Sequence, residues 1–264
     1  MQRTSSPAPD DDWNRHWDAY AEANALNPAQ DYRRKLILER LGLERAGVAR
    51  VLELGVGQGT LSSELRARFP HAELLGLDIS QRGIAMARER VPGGTFLQQD
   101  FMLPFTLPER YAAWATHAVC SEVLEHVEEP HQVLVNARRC LAPGARLVVT
   151  VPAGPRSKFD LHIGHRRHFT AKALAALLTG AGLELESLHG AGFPFFNLYR
   201  LAVLARGDKL IDDATQKGTP PLAARLAMRA FSGLFALNSG VTRWGWQLVA
   251  VALEPRAPRE AGRS

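Results

Sequence analysis

With 264 residues, 46% of them hydrophobic and 22% charged, the chain is long enough for one elaborated α/β domain with a proper core, and its composition is that of a globular protein. Its formal charge of +5 comes from 32 basic and 27 acidic residues spread along the chain, too mild an imbalance to argue for a nucleic-acid binder. Two cysteines, Cys120 and Cys140, lack the spacing of a disulfide scaffold or zinc ribbon and suit a reducing cytoplasm. No apolar run approaches the ~18 to 20 residues of a membrane-spanning helix.

Residues 1–12, rich in Ser, Pro and Asp and without the apolar run of a signal peptide, are expected to form a disordered tail. Residues 13–45 read as N-terminal cap helices, with Asn27 as N-cap, Pro28 at the first helical position, and Leu36, Ile37 and Leu41 at helical spacing. A core follows over residues 46–192. Its first strand, 49–54, ends at glycines and leads into a helix from about Thr60; a second, 73–77, ends at Asp78 and leads into a helix through Ala85, Met86 and Ala87. Strands at 95–98 and 115–120 lead to Asp100 and to Ser121, the latter followed by a helix through Val133, Leu134 and Leu141. Pro143-Gly144 turns the chain into a strand at 146–151, a helix spans 170–180, and a sixth strand covers 183–189.

Residues 193–243 read as an inserted helical lid, with helices around 198–211 and 222–237 parted by Gly218-Thr219-Pro220-Pro221. The last strand, 246–253, lies within a segment 244–254, and residues 255–264 form a second tail. Alternation of strands and helices across short turns implies a doubly wound, mostly parallel sheet, which binds ligands at the carboxyl ends of its strands.

The turn Glu53-Leu54-Gly55-Val56-Gly57-Gln58-Gly59 lets backbone approach a ligand closely and aims helix amides at its negative group. The dinucleotide fingerprint requires a third glycine where Thr60 stands, so the spacing disfavours a nicotinamide-dependent oxidoreductase. Asp78, at the end of the second strand, is placed to accept ribose hydroxyl protons, with a helix N-cap as its alternative role.

Taken together, Glu53-x-Gly55-x-Gly57-x-Gly59, Gly76-Leu77-Asp78-Ile79-Ser80, Gln99-Asp100-Phe101, Ser121-Glu122-Val123-Leu124-Glu125-His126-Val127 and Leu141-Ala142-Pro143-Gly144 resemble, in order and spacing, the class I S-adenosylmethionine (SAM) dependent methyltransferases. The likeness is greatest to the small-molecule branch that includes quinone-biosynthesis O-methyltransferases, and it covers roughly residues 50–152. It implies a Rossmann-like, seven-stranded sheet with SAM as cofactor. By the same resemblance, Glu53 and the backbone of Gly55, Gly57 and Gly59 hold the methionine moiety, Asp78 the ribose, Ile79 one adenine face, and Asp100, followed by Phe101, the adenine amino group. Ser121 and Glu122 lie beside the methyl donor.

Methyl transfer from a sulfonium is an in-line displacement, so the protein aligns nucleophile and methyl group and, for a hydroxyl, removes its proton. Histidine is the natural base. His126 is one candidate, its alternative role being a helix-surface residue paired with Glu122. His165 and His168 are the others; they lie in Gly164-His165-Arg166-Arg167-His168-Phe169-Thr170, which is similar to an acceptor-pocket segment of small-molecule methyltransferases. Thr170 is the expected cap of the next helix. Three histidines spaced by three, His162, His165 and His168, raise a metal reading, but Gly164 and two arginines interrupt any helix, and no metal is expected. Arg166 and Arg167 are read as solvated loop charges or as recognition groups for an acidic acceptor.

Trp13, Trp17 and Tyr20, with Phe193, Phe195, Phe196 and Tyr199, are candidates for an apolar acceptor wall, ordinary packing being their alternative. In the insert, basic side chains outnumber acidic ones seven to three (Asp208, Asp212 and Asp213), which suits peripheral contact with a membrane or a lipid-like substrate; a core-packed amphipathic lid is the default. The expected activity is therefore methyl transfer from SAM to an oxygen, less readily a nitrogen or carbon, of a small quinone-like, polyketide-like or lipid acceptor. The alternatives are a SAM-binding cyclase or regulatory protein of the same fold, and an NAD(P)-dependent oxidoreductase. Nucleic-acid methylation finds no support: no Asn-Pro-Pro-Tyr/Phe motif follows the fourth strand.

Overall fold

The computed structural model describes residues 13–17, 27–44, 47–207, 209, 222–238, 240 and 242–256. The expected tail at 1–12, Tyr20, Asp208, Asp212, Asp213, Lys217, the 218–221 separator and residues 257–264 lie outside them. Among the described residues, a helical segment 13–17 precedes α1 (Pro28–Leu41), β1 (Arg50–Leu54), α2 (Thr60–Arg68), β2 (Glu73–Asp78), α3 (Gln81–Arg90), β3 (Thr95–Gln98) and β4 (Ala115–Ser121). Then come α4 (Pro130–Arg138), β5 (Leu141–Pro152), α5 (Lys158–His162), α6 (Ala171–Gly180), β6 (Glu184–Ala191), α7 (Phe195–Arg206), α8 (Leu222–Phe235) and β7 (Gln247–Leu253).

These strands form one seven-stranded sheet in the order β3-β2-β1-β4-β5-β7-β6. It is parallel from β3 to β5, while β7 runs antiparallel between β5 and β6. The central strands read as unbroken apolar runs because both faces are covered. One face packs Leu52, Leu54, Leu75 and Leu77 against Val133, Leu134 and Leu174; on the other, Val51, Val119 and Val148 meet Ile37, Leu41, Leu65 and Ile84. The strand order reverses between β1 and β4, and the C-terminal ends of these neighbours open the crevice where such sheets bind ligands.

The cap chemistry read from sequence is present. Asn27 accepts from the Ala29 amide at 2.9 Å, and Thr170 accepts from the Ala173 amide at 3.1 Å. Two local expectations are corrected. Leu141 to Gly144 does not end a helix before the strand but opens β5 itself, with a register irregularity against β4 that absorbs the turn. Segment 122–127 is an irregular turn rather than helix, so His126 is not one helical turn from Glu122 and does not pair with it.

The insert is docked, not free. Tyr32 of α1 stacks with Phe196 and Phe235, and Tyr199 meets Phe196, Phe231 and Phe235 with ring centroids 5.3–6.3 Å apart. Phe196 and Tyr199 thus serve as the packing that fixes α7 and α8 onto α1. Phe193 stays 40% exposed.

Candidate active site

Gly55, Gly57 and Gly59 all take left-handed backbone, with φ of 72°, 51° and 74°. At Gly59 a Cβ would sit 2.9 Å from the Ala87 Cα, so the third glycine is what lets α2 close on α3. No side chain caps α2, leaving its first-turn amides open toward the crevice. Behind the turn Glu53 is buried and receives the Ser62 hydroxyl; burial pushes its carboxyl up to about 8 despite that bond.

Asp78 is buried at the end of β2. Its carboxylate accepts the Gly57 amide at 2.7 Å and the Ser80 amide at 2.8 Å. Burial raises its pKa against those bonds and a further one from the Ile79 backbone, and a carboxylate has room to accept a ligand hydroxyl besides. Ser80, not Asp78, caps α3, through the Gly83 amide. Next to it Ile79 is 38% exposed, a large apolar side chain left at the mouth of a polar crevice. Asp100 closes its own turn by accepting the Met102 amide at 2.8 Å, and Phe101 is turned into the core against Phe105.

The helical segment 13–17 lies across this crevice. Asn14 accepts from the Ser80 hydroxyl and the Arg82 amide, and the Trp17 ring occupies the space a Gly57 side chain would need, 2.4 Å from the ideal Cβ position. Trp17 Nε1 is buried and has no hydrogen-bond partner among the described residues. Trp13 packs edge-on to His126 with centroids 4.8 Å apart. Of the front aromatics, then, Trp17 stands over the glycine turn and Trp13 over the histidines.

At the end of β4, Ser121 shares a 2.8 Å hydrogen bond with Thr150. Glu122 adopts φ 54°, strained for a residue with a side chain, and is held there from three directions. Arg33 of α1 forms an ion pair at 3.1 Å, Gln247 of β7 donates at 2.9 Å, and the Thr150 hydroxyl donates at 3.3 Å. None of these partners is near Glu122 in sequence.

Beyond it, His126, His165 and His168 come together, His126 and His165 with ring centroids 4.6 Å apart and His165 and His168 5.4 Å apart. Burial holds His126 down to about 3, lowered further by the His16 ring, and His165 down to about 2, lowered further by the His126 ring; burial lowers His168 as well. The rings are therefore neutral at pH 7. Arg166 and Arg167 donate to the His126 and Glu128 carbonyls at 2.7 and 2.9 Å and fasten this loop to the turn after β4.

Asp160 anchors the cluster from below. It closes a capping box with Ser157 and takes a two-pronged ion pair from Arg200 of α7 at 2.6 and 3.0 Å. Burial opposes its ionisation, but Arg200 and the Ser157 bonds outweigh it and hold the carboxyl at about 2. Arg200, counted from sequence among the basic charges of the insert, is thus a half-buried internal partner. Sequence reasoning also left Arg33, Gln247 and Glu125 without roles; each meets its neighbours only through the fold.

A glycine cradle, a carboxylate with free lone pairs beside an exposed apolar side chain, and a strained acidic residue at the next strand end together fit an adenosyl sulfonium better than a dinucleotide. Residues 27–188 match the family model described as methyltransferase domain. The chain belongs to that family. The methyltransferase is 28% identical over 205 residues to a ubiquinone biosynthesis O-methyltransferase of Hahella chejuensis, covering 71% of this chain and 84% of that protein. It is 36% identical over 104 residues to a trans-aconitate 2-methyltransferase of Acidovorax sp. (strain JS42), a match spanning 39% of this chain and 38% of the relative. In fold it is similar to Haemonchus contortus phosphoethanolamine N-methyltransferase 2 in complex with SAM, with a TM-score of 0.62 and 17% identity over 92% of this chain and 60% of that one. The methyltransferase is SAM-dependent, of the small-molecule type, and its sheet is that of class I enzymes. Among the described residues no helix is long and apolar enough to cross a membrane.

Proposed function

We propose that this methyltransferase transfers the methyl group of SAM to an oxygen of a small organic acceptor whose hydroxyl is already acidic: a quinol, a polyketide-type phenol or enol, or a carboxylic acid. The observation that carries this reading is the grouping of His126, His165 and His168, with ring centroids 4.6 and 5.4 Å apart, beyond the end of β4. Burial disfavours their protonated forms, so as bases these rings suit an acceptor that gives up its proton readily. An alcohol or an ammonium ion would demand a stronger base. The printed activities of the two relatives, O-methylation in ubiquinone biosynthesis and methylation of trans-aconitate, support the same class.

In this reading SAM lies along the crevice with its methionine end at Glu53 and the Gly55 to Gly59 backbone, its ribose on Asp78, and its adenine between Ile79 and the Asp100 turn backed by Phe101. Ser121 and Glu122 flank the methyl donor, and the His126, His165 and His168 rings border the acceptor. Exposed Leu226, Leu237 and Trp244, interspersed with Arg225, Arg229 and Arg243, support a lipid-like tail or an anionic surface as what the outer face of the insert meets.

The test is incubation of the purified chain with SAM and a panel of phenolic, enolic, carboxylic and amine acceptors, read by mass spectrometry for a mass gain of one methyl group. Oxygen-methylated products from the acidic members are expected. Turnover confined to amines would overturn the reading.

A further inference from the structure

Glu125 is 0% exposed and neither carboxylate oxygen meets a hydrogen-bond partner; its own amide lies near without reaching bonding geometry. An unpaired carboxylate in such a place is costly unless a proton or a cation neutralises it. Two further lone pairs converge on it. The Gly164 carbonyl beside the His126 ring takes the proton on Nε2, which leaves Nδ1 bare, buried and unpartnered. A second chain of contacts fixes His165: the Gly154 carbonyl takes His168 Nδ1–H at 3.0 Å, His168 Nε2 takes His165 Nδ1–H at 3.2 Å, and His165 Nε2 is left with its lone pair. One carboxylate oxygen of Glu125 and one ring nitrogen of each of His126 and His165 lie within 4.8 Å of one another.

From this geometry we infer that Glu125, His126 and His165 bind one divalent transition-metal ion of the zinc, iron(II) or cobalt(II) class. Two imidazoles and one carboxylate form the ligand set such ions favour, and one ion answers the unpartnered Glu125 carboxylate and His126 Nδ1 at once. Around an ion with bonds of about 2.0–2.2 Å, neighbouring ligand atoms stand about 3–3.5 Å apart, so the side chains close by roughly an ångström. Glu125 and His126 sit on an irregular turn able to follow. The hydrogen bonds that the rings donate to the Gly164 and Gly154 carbonyls, the latter relayed through His168, supply the outer support that metal-bound imidazoles require.

The neighbouring trio Asp160, His165 and His168 is a poorer site. Asp160 already spends both oxygens on Arg200 and Ser157, and a cation there would meet the guanidinium. The spacing of His162, His165 and His168 hid the better set, because its carboxylate comes from a turn forty residues upstream of its second histidine. His126 and His165 become ligands, and an acceptor oxygen beside them meets a Lewis acid. That consequence rests on the methyltransferase reading; the site itself does not.

Cobalt(II) chloride titrated into the full chain after chelator treatment, followed by visible absorption and by metal content after dialysis, tests the site. One cobalt per chain with ligand-field bands is expected. Glu125→Gln, His126→Gln and His165→Gln should each weaken binding more than about 100-fold, beyond the 10–100-fold typical of an outer-shell change. His131→Gln, on the surface of α4, should leave it unchanged. Where a variant fails to fold, thermal melting of the unaltered chain decides: zinc chloride should raise Tm and a chelator should reverse the rise. No stoichiometric cobalt, no zinc-dependent Tm, or binding indifferent to all three substitutions would each overturn the site. S-adenosylhomocysteine (SAH) titrated into the same samples separates the claims, since SAH binding without metal sinks the site alone, and metal without SAH binding sinks the methyltransferase reading.

Discussion

At the ends of β1 and β2 the buried carboxylates answer to groups within the first two strand–helix units: Asp78 to the Gly57 and Ser80 amides, Glu53 to the Ser62 hydroxyl. At the end of β4 and in the loop after β5 the arrangement is reversed. Glu122 is held by Arg33 and Gln247, Asp160 by Arg200, and the Glu125 carboxylate by no hydrogen bond among the described residues. The end we propose for the cofactor is satisfied within the first two strand–helix units. The end we propose for the acceptor is assembled across α1, α7 and β7, and it keeps strain at Glu122 and unpaired atoms at Glu125 and His126. The sharpest way to break this contrast is to disturb the local motif. Gly59→Ala puts a side chain 2.9 Å from the Ala87 backbone at a φ of 74°, and is expected to lower Tm by several degrees and weaken SAH binding about 100-fold by titration calorimetry. A normal melt with normal binding would show that the turn is not the cofactor cradle.

The acceptor end should fail differently. His165→Ala is expected to cut kcat about 100-fold with SAH affinity nearly intact, because in the proposed arrangement the ring borders the acceptor and not the adenosyl group. Asp78→Ala should do the converse at a smaller scale, weakening SAH binding about 10-fold or more while kcat at saturating SAM changes less. If the two variants moved the same parameter, the division of the crevice into two ends would not hold.

Acidification separates the ends by pH. His126 and His165 have folded pKa values below the 6.5 of the unfolded chain, so the unfolded state binds protons first and stability declines as pH falls from about 6.5. Asp160, depressed to about 2, contributes stability that is complete above its ordinary value and is lost as pH falls from about 4 toward 2. Urea midpoints measured against pH should decline in both windows. His165→Gln should flatten the upper one, and Arg200→Met the lower one.

The same contrast explains what could be read from residues alone. Strand ends, the glycine turn, Asp78 and the Thr170 cap are local, so periodicity and spacing located them. Leu141 to Gly144 misled because a Pro-Gly pair was absorbed as an irregularity within β5 instead of ending an element. Glu125 was invisible as a ligand because its histidine partner lies forty residues on, and Arg33, Gln247 and Arg200 look like surface polar residues until α1, β7 and α7 turn them inward.

The smallest expected effect concerns the segment that touches both ends. Trp17 lies on Gly57 and Trp13 on His126, so the 13–17 helix bridges cradle and histidines from above. A SAM molecule seated on the glycine turn must share space with the Trp17 ring, so SAH should change tryptophan fluorescence, and Trp17→Phe should remove most of that change while raising Kd only a few-fold. The buried Nε1 makes the direction informative: it has no partner among the described residues, so a ligand acceptor reaching it would shift the emission to the red and make Trp17 part of the cofactor site. An unaltered signal in Trp17→Phe would mean that the helix closes only over the histidines, and the bridge between the two ends would be lost.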